Sequence, residues 1–477
     1  MWRLLALLLV AGCEPAQAVL FDTPPSPTTT PGGDTGEETG LPMISAVSGA
    51  AHDDTGTIIV VEWTQREAAA AAWIAYTHDG ADGWLETPPV AVLAGQNQAA
   101  LLGIPADRDV TFEIYAQVDG ELVVSDEQYA ARTDPLPVSI YLPDVRVHAD
   151  TGLSDEGYLL VSLDIGESWF QGPYYVLILN RDGEVVWYRE TANSRGSMFP
   201  RVSRSGDHLV IDETTLYTFS NSLVPTVSRL TLDQRHETSV ELPNLHYTYD
   251  ELDDGSFIYG SFANDVEFSL ERLYPDGSME RVWDCYPWMR QHEPSTYWAC
   301  AANTVLWRPE TNTVLWSMFE TSTVAELDLG SGELVRHFGQ IPDGYAFDPP
   351  EAVFDLQHYP NFTRDGTLMV STHIKGDKYE QRAREFVIDE AAQVLREVWS
   401  YGEDSNRYAR YAGEATRLDN GNVLMNFGTD GVVQELTDGG EVLWELEWRD
   451  RLIGHTTLIA DLYALNQWDG ESVVSAQ

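Results

Sequence analysis

The feature that most constrains this chain is a turn that keeps returning in front of the same kind of strand. Asp182-Gly183 precedes Glu184-Val185-Val186-Trp187, Asp254-Gly255 precedes Ser256-Phe257-Ile258-Tyr259, and Asp365-Gly366 precedes Thr367-Leu368-Met369-Val370. Asn420-Gly421 leads into Asn422-Val423-Leu424-Met425, and Gly439-Gly440 into Glu441-Val442-Leu443-Trp444. A tight hairpin needs positive φ at its centre, and these dipeptides supply it at low cost. A second phrase alternates with the first, as in Ala325-Glu326-Leu327-Asp328 followed by Ser331-Gly332-Glu333-Leu334-Val335. Sheets of about four strands, repeated roughly every 50 residues, are the pattern of a propeller. Residues 140–465 then hold about six blades, with a large β-sandwich as the competing arrangement. The fold class expected is all-β.

Upstream, residues 43–135 form a separate run of short strands, among them Thr57–Trp63, Ala72–Tyr76 and Val110–Tyr115. With an early tryptophan, this stretch resembles a fibronectin type III sandwich, a module that serves as spacer or docking surface. It carries no recognisable chemistry. The 15 Trp and 22 Tyr of the chain fit a strand-rich interior.

Charge narrows the partners. The formal net charge is -48, with 76 acidic against 28 basic residues. Lys375 and Lys378 are the two lysines. Phosphate backbones reward clustered cations, so nucleic acid is excluded as a partner. The surface suits a cation-rich medium, or is simply a solvated acidic one.

The N-terminus reads as an export signal within residues 1–18: Arg3, then an apolar run from Leu4 to Val10 too short to span a bilayer. Val10-Ala11-Gly12-Cys13 resembles the lipobox of bacterial lipoproteins, in which the cysteine carries lipid. An ordinary secretory signal cut after Ala16-Gln17-Ala18 stays open. Residues 14–42, rich in Pro, Thr, Gly and Asp, cannot bury enough apolar surface to order and make a tether. The expected place is the periplasm or cell surface, with the membrane met only through lipid. With Cys13 given to lipid by that resemblance, Cys285 and Cys300 remain to pair in an oxidising compartment. No EF-hand spacing surrounds Asp34 or Asp53-Asp54, so no metal is assigned, and no cofactor. The sequence does not reveal the oligomeric state.

The most specific phrases lie in the final third. Gly413–Leu424 runs on to Val433–Trp444, Gln357-His358 precedes Arg364–Met369, and Ser322-Thr323-Val324 precedes Ser331–Val335. In this order they resemble the bacterial arylsulfotransferases over roughly residues 150–465. That resemblance implies a six-bladed propeller whose central channel moves a sulfuryl group between phenols through a sulfated histidine, aided by two further histidines and an arginine. Such a nucleophile must be neutral and accessible, which suits imidazole.

Carried over residue by residue, His358 falls at the nucleophile and His246 near another histidine. The third histidine position holds Ala301, with Cys300 and Asn303 beside it, and the arginine position aligns with Phe319 or Glu320. Substitute groups are sought in Asn303 and in His373-Lys375-Lys378, read as an anion clamp or an exposed loop tip, and in Arg407 and Arg410. His455 is expected to be structural. The implied ligand is a small phenolic or aryl sulfate compound. The missing groups favour the alternative, an inactive propeller serving as a ligand- or protein-binding module on the cell envelope. A quinone-dependent dehydrogenase is disfavoured, since no adjacent-cysteine pair is present, and a glycan-binding surface is the remaining reading of Trp288, Tyr297 and Trp298.

Overall fold

In the computed structural model the described residues are 42–166, 169–170, 172–192, 195–214, 224–263, 267–292, 297–374 and 379–468. The expected signal, the lipobox with Cys13 and nearly all of the tether lie outside them, as do Lys375 and Lys378.

The chain divides into two compact units: one runs to Gly49 and takes in Glu62–Gln98 and Asp109–Ala131, while the other is Ala50–Val61, Ala99–Arg108 and everything from Arg132. In the smaller unit, Ala69–His78 pairs with Asp109–Val118, and Trp73 stacks on Tyr115 with centroids 5.4 Å apart. Residues alternate between buried and half-buried along Asp109–Val118, the pattern of a strand with one wet face. Two stretches expected to belong to this first domain join the larger unit instead. Ile58 and Leu102 share a core with Leu160, Ile178 and Trp187, and the Gly56 amide donates to the Tyr188 hydroxyl at 3.0 Å.

In the larger unit, Tyr158–Asp164 and Tyr174–Asn180 are buried almost throughout, so both faces are covered. The described strands make six sheets of four or five strands. Among the described strands pairing is antiparallel except where Ala346–Asp348 lies parallel to Val394–Tyr401, with one isolated parallel bridge between Phe338 and Tyr345. Each predicted turn glycine (Gly183, Gly255, Gly366, Gly421 and Gly440) takes a positive φ. Two pairings close the set: Leu452–Ile459 pairs with Tyr158–Asp164, and Asp144–His148 with Val442–Glu447.

The leading strands of successive sheets are linked in a circuit. The Arg201 guanidinium meets the Asp250 carboxylate at 2.9 Å, and the Val305 amide donates to the Thr248 hydroxyl at 3.0 Å. The Tyr359 amide donates to the Thr304 hydroxyl at 3.0 Å, and the Asn361 amide group to the Ala415 carbonyl at 2.9 Å. The Thr456 amide donates to Glu414 at 3.0 Å, and the His455 amide to the Met198 carbonyl at 2.7 Å, returning to the segment before Arg201. Six leading strands therefore ring one axis, a propeller-like arrangement.

The apolar core is accordingly divided among the gaps between neighbouring sheets. Trp316 and Leu327 face Ile258 and Leu270 in one gap, and Phe338 faces Phe386 in another. Trp444 faces Leu177 where the last sheet meets the first. A buried tryptophan of this kind contributes about 3 kcal/mol by removal of its apolar surface from water. The disulfide expected between Cys285 and Cys300 is formed, Cα atoms 5.9 Å apart.

Candidate functional site

At one end of the axis, the starts of three leading strands bring together residues distant in sequence. His246 is the second residue of Leu245–Glu251, Asn303 the second of Ala302–Arg308, and His358 the first of His358–Phe362. All three line a cavity of about 360 Å³. The turn between Thr313–Met318 and Thr323–Asp328 adds Phe319 and Glu320, the disulfide-closed segment adds Trp298, and Ala301 follows directly after Cys300. Phe170, Tyr247 and Tyr411 complete the aromatic wall. The positions where the resemblance loses a histidine and an arginine thus face the same space as His358.

The backbone around His358 is held under strain. Leu356 and Tyr359 adopt φ of 46° and 45°, a region that costs a residue with a side chain about 1 kcal/mol or more. Buried bonds hold it there. The Gln357 amide group donates to the Ser317 hydroxyl at 2.9 Å and to the Met318 and Thr323 carbonyls at 3.1 Å. The Asn303 amide group donates to the Gln357 carbonyl at 2.6 Å, while its Oδ1 is buried without a hydrogen-bond partner among the described residues. Asn303 therefore lines the cavity and also clamps the peptide that carries His358.

Behind His358 stands His373. It is wholly buried within the strand Leu368–Ile374, not at an exposed loop tip, and it does not line the cavity. Its Nδ1 lies 2.7 Å from the Ala409 carbonyl and its Nε2 3.1 Å from His358 Nδ1. A carbonyl only accepts, so His373 carries its proton on Nδ1 and offers the Nε2 lone pair to His358. His358 Nδ1, also 3.1 Å from the Leu356 carbonyl, is then the protonated nitrogen. The Nε2 lone pair of His358 is left available, with no protein hydrogen-bond partner among the described residues.

Electrostatics keep the rings neutral. Burial, and then the neighbouring His373 ring, hold His358 well below the usual imidazole range. Burial lowers His373 to about 4. Burial likewise lowers His246 to about 4, against a hydrogen bond with the Ala302 backbone. The rings of Phe262, Phe268 and Trp298 surround His246, with centroids 5.3 to 5.9 Å away. Phe319 meets His358 edge-on at 5.2 Å.

The other expected groups stand elsewhere. Arg407 is ion-paired to Asp430 and Glu445, at 3.3 and 2.9 Å. Arg410 forms no ion pair among the described residues and stacks on Tyr411 at 5.1 Å, without lining the cavity. Along the axis, His455 Nδ1 lies 2.7 Å from Glu414 and its Nε2 3.0 Å from the Thr457 hydroxyl, so both ring nitrogens are engaged. Trp288 packs against Trp283 and His337 and is not part of the cavity. Among the described residues no group of three or more His, Cys, Asp or Glu is arranged to hold a metal ion. The aromatic lining from Phe170, Tyr247 and Tyr411 carried no sequence signal, because these residues sit in irregular segments or beside an unexceptional strand start.

No family model matches the chain, and no curated protein matches it. Among solved structures it is similar to a streptogramin B lyase at 12% identity and a TM-score of 0.38, over 65% of this chain and 88% of that one. It is similar to a putative 6-phosphogluconolactonase from Bacteroides uniformis at 11% identity and a TM-score of 0.40, over 64% and 100%. A luciferin-regenerating enzyme matches at 12% identity and a TM-score of 0.35, over 55% and 76%. The fold is shown by the strand pairing of the chain itself.

Proposed function

We propose that the chain is a histidine-dependent sulfuryl transferase of the arylsulfotransferase kind, acting on small phenolic compounds in the cavity that holds His358. The six sheets are read as six blades, and residues 43–135 as a fibronectin type III-like spacer. Cys13 is read as a lipid anchor that places the protein on the cell envelope. The observation that carries the catalytic reading is the His358–His373 pair, which leaves a neutral imidazole with its Nε2 lone pair available at an aromatic-lined cavity.

In the first half-reaction His358 Nε2 attacks sulfur of an aryl sulfate, an N–S bond forms, and the S–O bond to the phenolate breaks. The positive charge that develops on the His358 ring is steadied by its Nδ1–H donating to His373 Nε2. In the second half an acceptor phenol attacks the same sulfur, the N–S bond breaks, and the proton given up by the acceptor balances the one taken by the departed phenolate. His373 is a positioning residue, and His246 is the second imidazole available to the transferring group.

A second reading has its own support. The described lining contains Ala301, Phe319 and Glu320, but no lysine or arginine to neutralise the transferring oxygens. This favours a propeller that binds an aromatic ligand without turnover. Purified protein incubated with a chromogenic aryl sulfate and a phenol acceptor separates the two. Phenol release that vanishes in His358→Ala supports transfer. Absence of release in the unaltered protein refutes transfer and leaves the binding module.

A further inference from the structure

The charge pattern of the cavity points to a ligand feature that sulfuryl chemistry does not require. Glu320 is the one carboxylate in the described lining, and neither lysine nor arginine joins it there. It is exposed and has no cation partner among the described residues. Facing the same space are the rings of Phe170, Tyr247, Trp298, Phe319 and Tyr411. Aromatic faces attract cations, most strongly where water is excluded. Tyr411 of this wall also carries the Arg410 guanidinium, 5.1 Å from its ring centroid and outside the cavity lining. The formal charge of -48 draws small cations toward the protein and repels anions.

We propose that the cavity selects an aromatic compound bearing an ammonium group, its cationic end held between Glu320 and the aromatic wall. On the reading of the site as a sulfuryl transferase, which this inference rests on, that compound is the phenol acceptor. The sulfate donor meets no cation in the lining, so discrimination falls on the partner that the lining can hold. A phenol with a short aminoalkyl arm fits the requirement by chemistry: the hydroxyl toward His358, the ammonium toward the mouth.

Three para-substituted phenols of matched length test this: 4-(2-aminoethyl)phenol, 4-(2-hydroxyethyl)phenol and 4-hydroxyphenylacetate. Each is measured for binding by isothermal titration and as acceptor with a chromogenic aryl sulfate, using the intact chain. The expected order is ammonium, neutral, carboxylate, with the ammonium compound bound about tenfold more tightly than the neutral one. Glu320→Gln is expected to lower that ratio about threefold, and 0.5 M salt to lower it in the unaltered protein. Equal binding of the three compounds, or a ratio that Glu320→Gln leaves untouched, overturns the proposal even where phenol turnover is seen. A clear ammonium preference without turnover supports the binding selectivity and refutes the catalytic reading, so the two fail separately.

Discussion

Replacing His373 with glutamine tests the proton arrangement behind His358. Burial lowers His373 to about 4, whereas a histidine of the unfolded chain titrates near 6.5. Between these values the unfolded chain takes up the proton and the folded chain resists it. Stability therefore falls as pH drops through this window, and the loss is absent above the unfolded value. Linkage between those two values makes the fold about 2 kcal/mol less stable at pH 5 than at pH 7 on account of this residue alone. Glutamine keeps an amide able to donate to the Ala409 carbonyl but does not titrate. His246, lowered to about 4 as well, and the many carboxylates contribute to both proteins and cancel in the difference. His358, relieved of the His373 ring, changes in the same direction and leaves the sign of the difference intact. Urea titrations followed by tryptophan fluorescence, at pH 7 and pH 5, give the double difference. We expect His373→Gln to remove about 2 kcal/mol of the acid-dependent loss. If the two proteins lose stability equally on acidification, within about 0.5 kcal/mol, the buried ring accepts a proton without penalty. The assignment of its Nε2 as a lone-pair acceptor is then wrong.

Three further outcomes are expected. Reduction of the Cys285–Cys300 bond, or the double serine variant, should destabilise the larger unit by about 3 kcal/mol, as chain entropy gives for a loop of 15 residues; denaturant midpoints with and without reductant check it. Gly431→Ala drives a Cβ into the Trp448 carbonyl oxygen at a φ of +72°, and should cost about 2 kcal/mol or more, seen as a lowered thermal midpoint. Phe319→Arg puts a cation into the cavity at one of the two positions, Phe319 or Glu320, with which the arylsulfotransferase resemblance aligns an arginine. It should lower the KM for an aryl sulfate about tenfold while weakening ammonium-bearing acceptors, both read from steady-state kinetics.

Particular residues show how far the chain could be read before folding. The turn glycines were legible because positive φ is a local demand, met by Gly183 or Gly421 whatever surrounds them. His358 and His246 were legible as residues of one cavity only through the order of phrases along the chain, since nothing local marks either. His373 was misplaced. Its neighbours Lys375 and Lys378 suggest a loop, yet its strand pairs Ser371 with His358 and carries the His373 ring behind that of His358. The boundary of the first domain was likewise blurred, because Ile58 and Leu102 look like ordinary strand residues until Trp187 is packed against them.

Local chemistry alone determined that this protein would be built of short, glycine-turned strands and that it would carry a strongly negative formal charge. Ring closure decided the rest. Only when the last long strand pairs beside Tyr158–Asp164 do the leading strands share an axis, so that imidazoles more than a hundred residues apart face one cavity. The physical reason is that a hairpin specifies its own turn and register. Which side chains meet across the axis depends on how six sheets pack their apolar faces against one another.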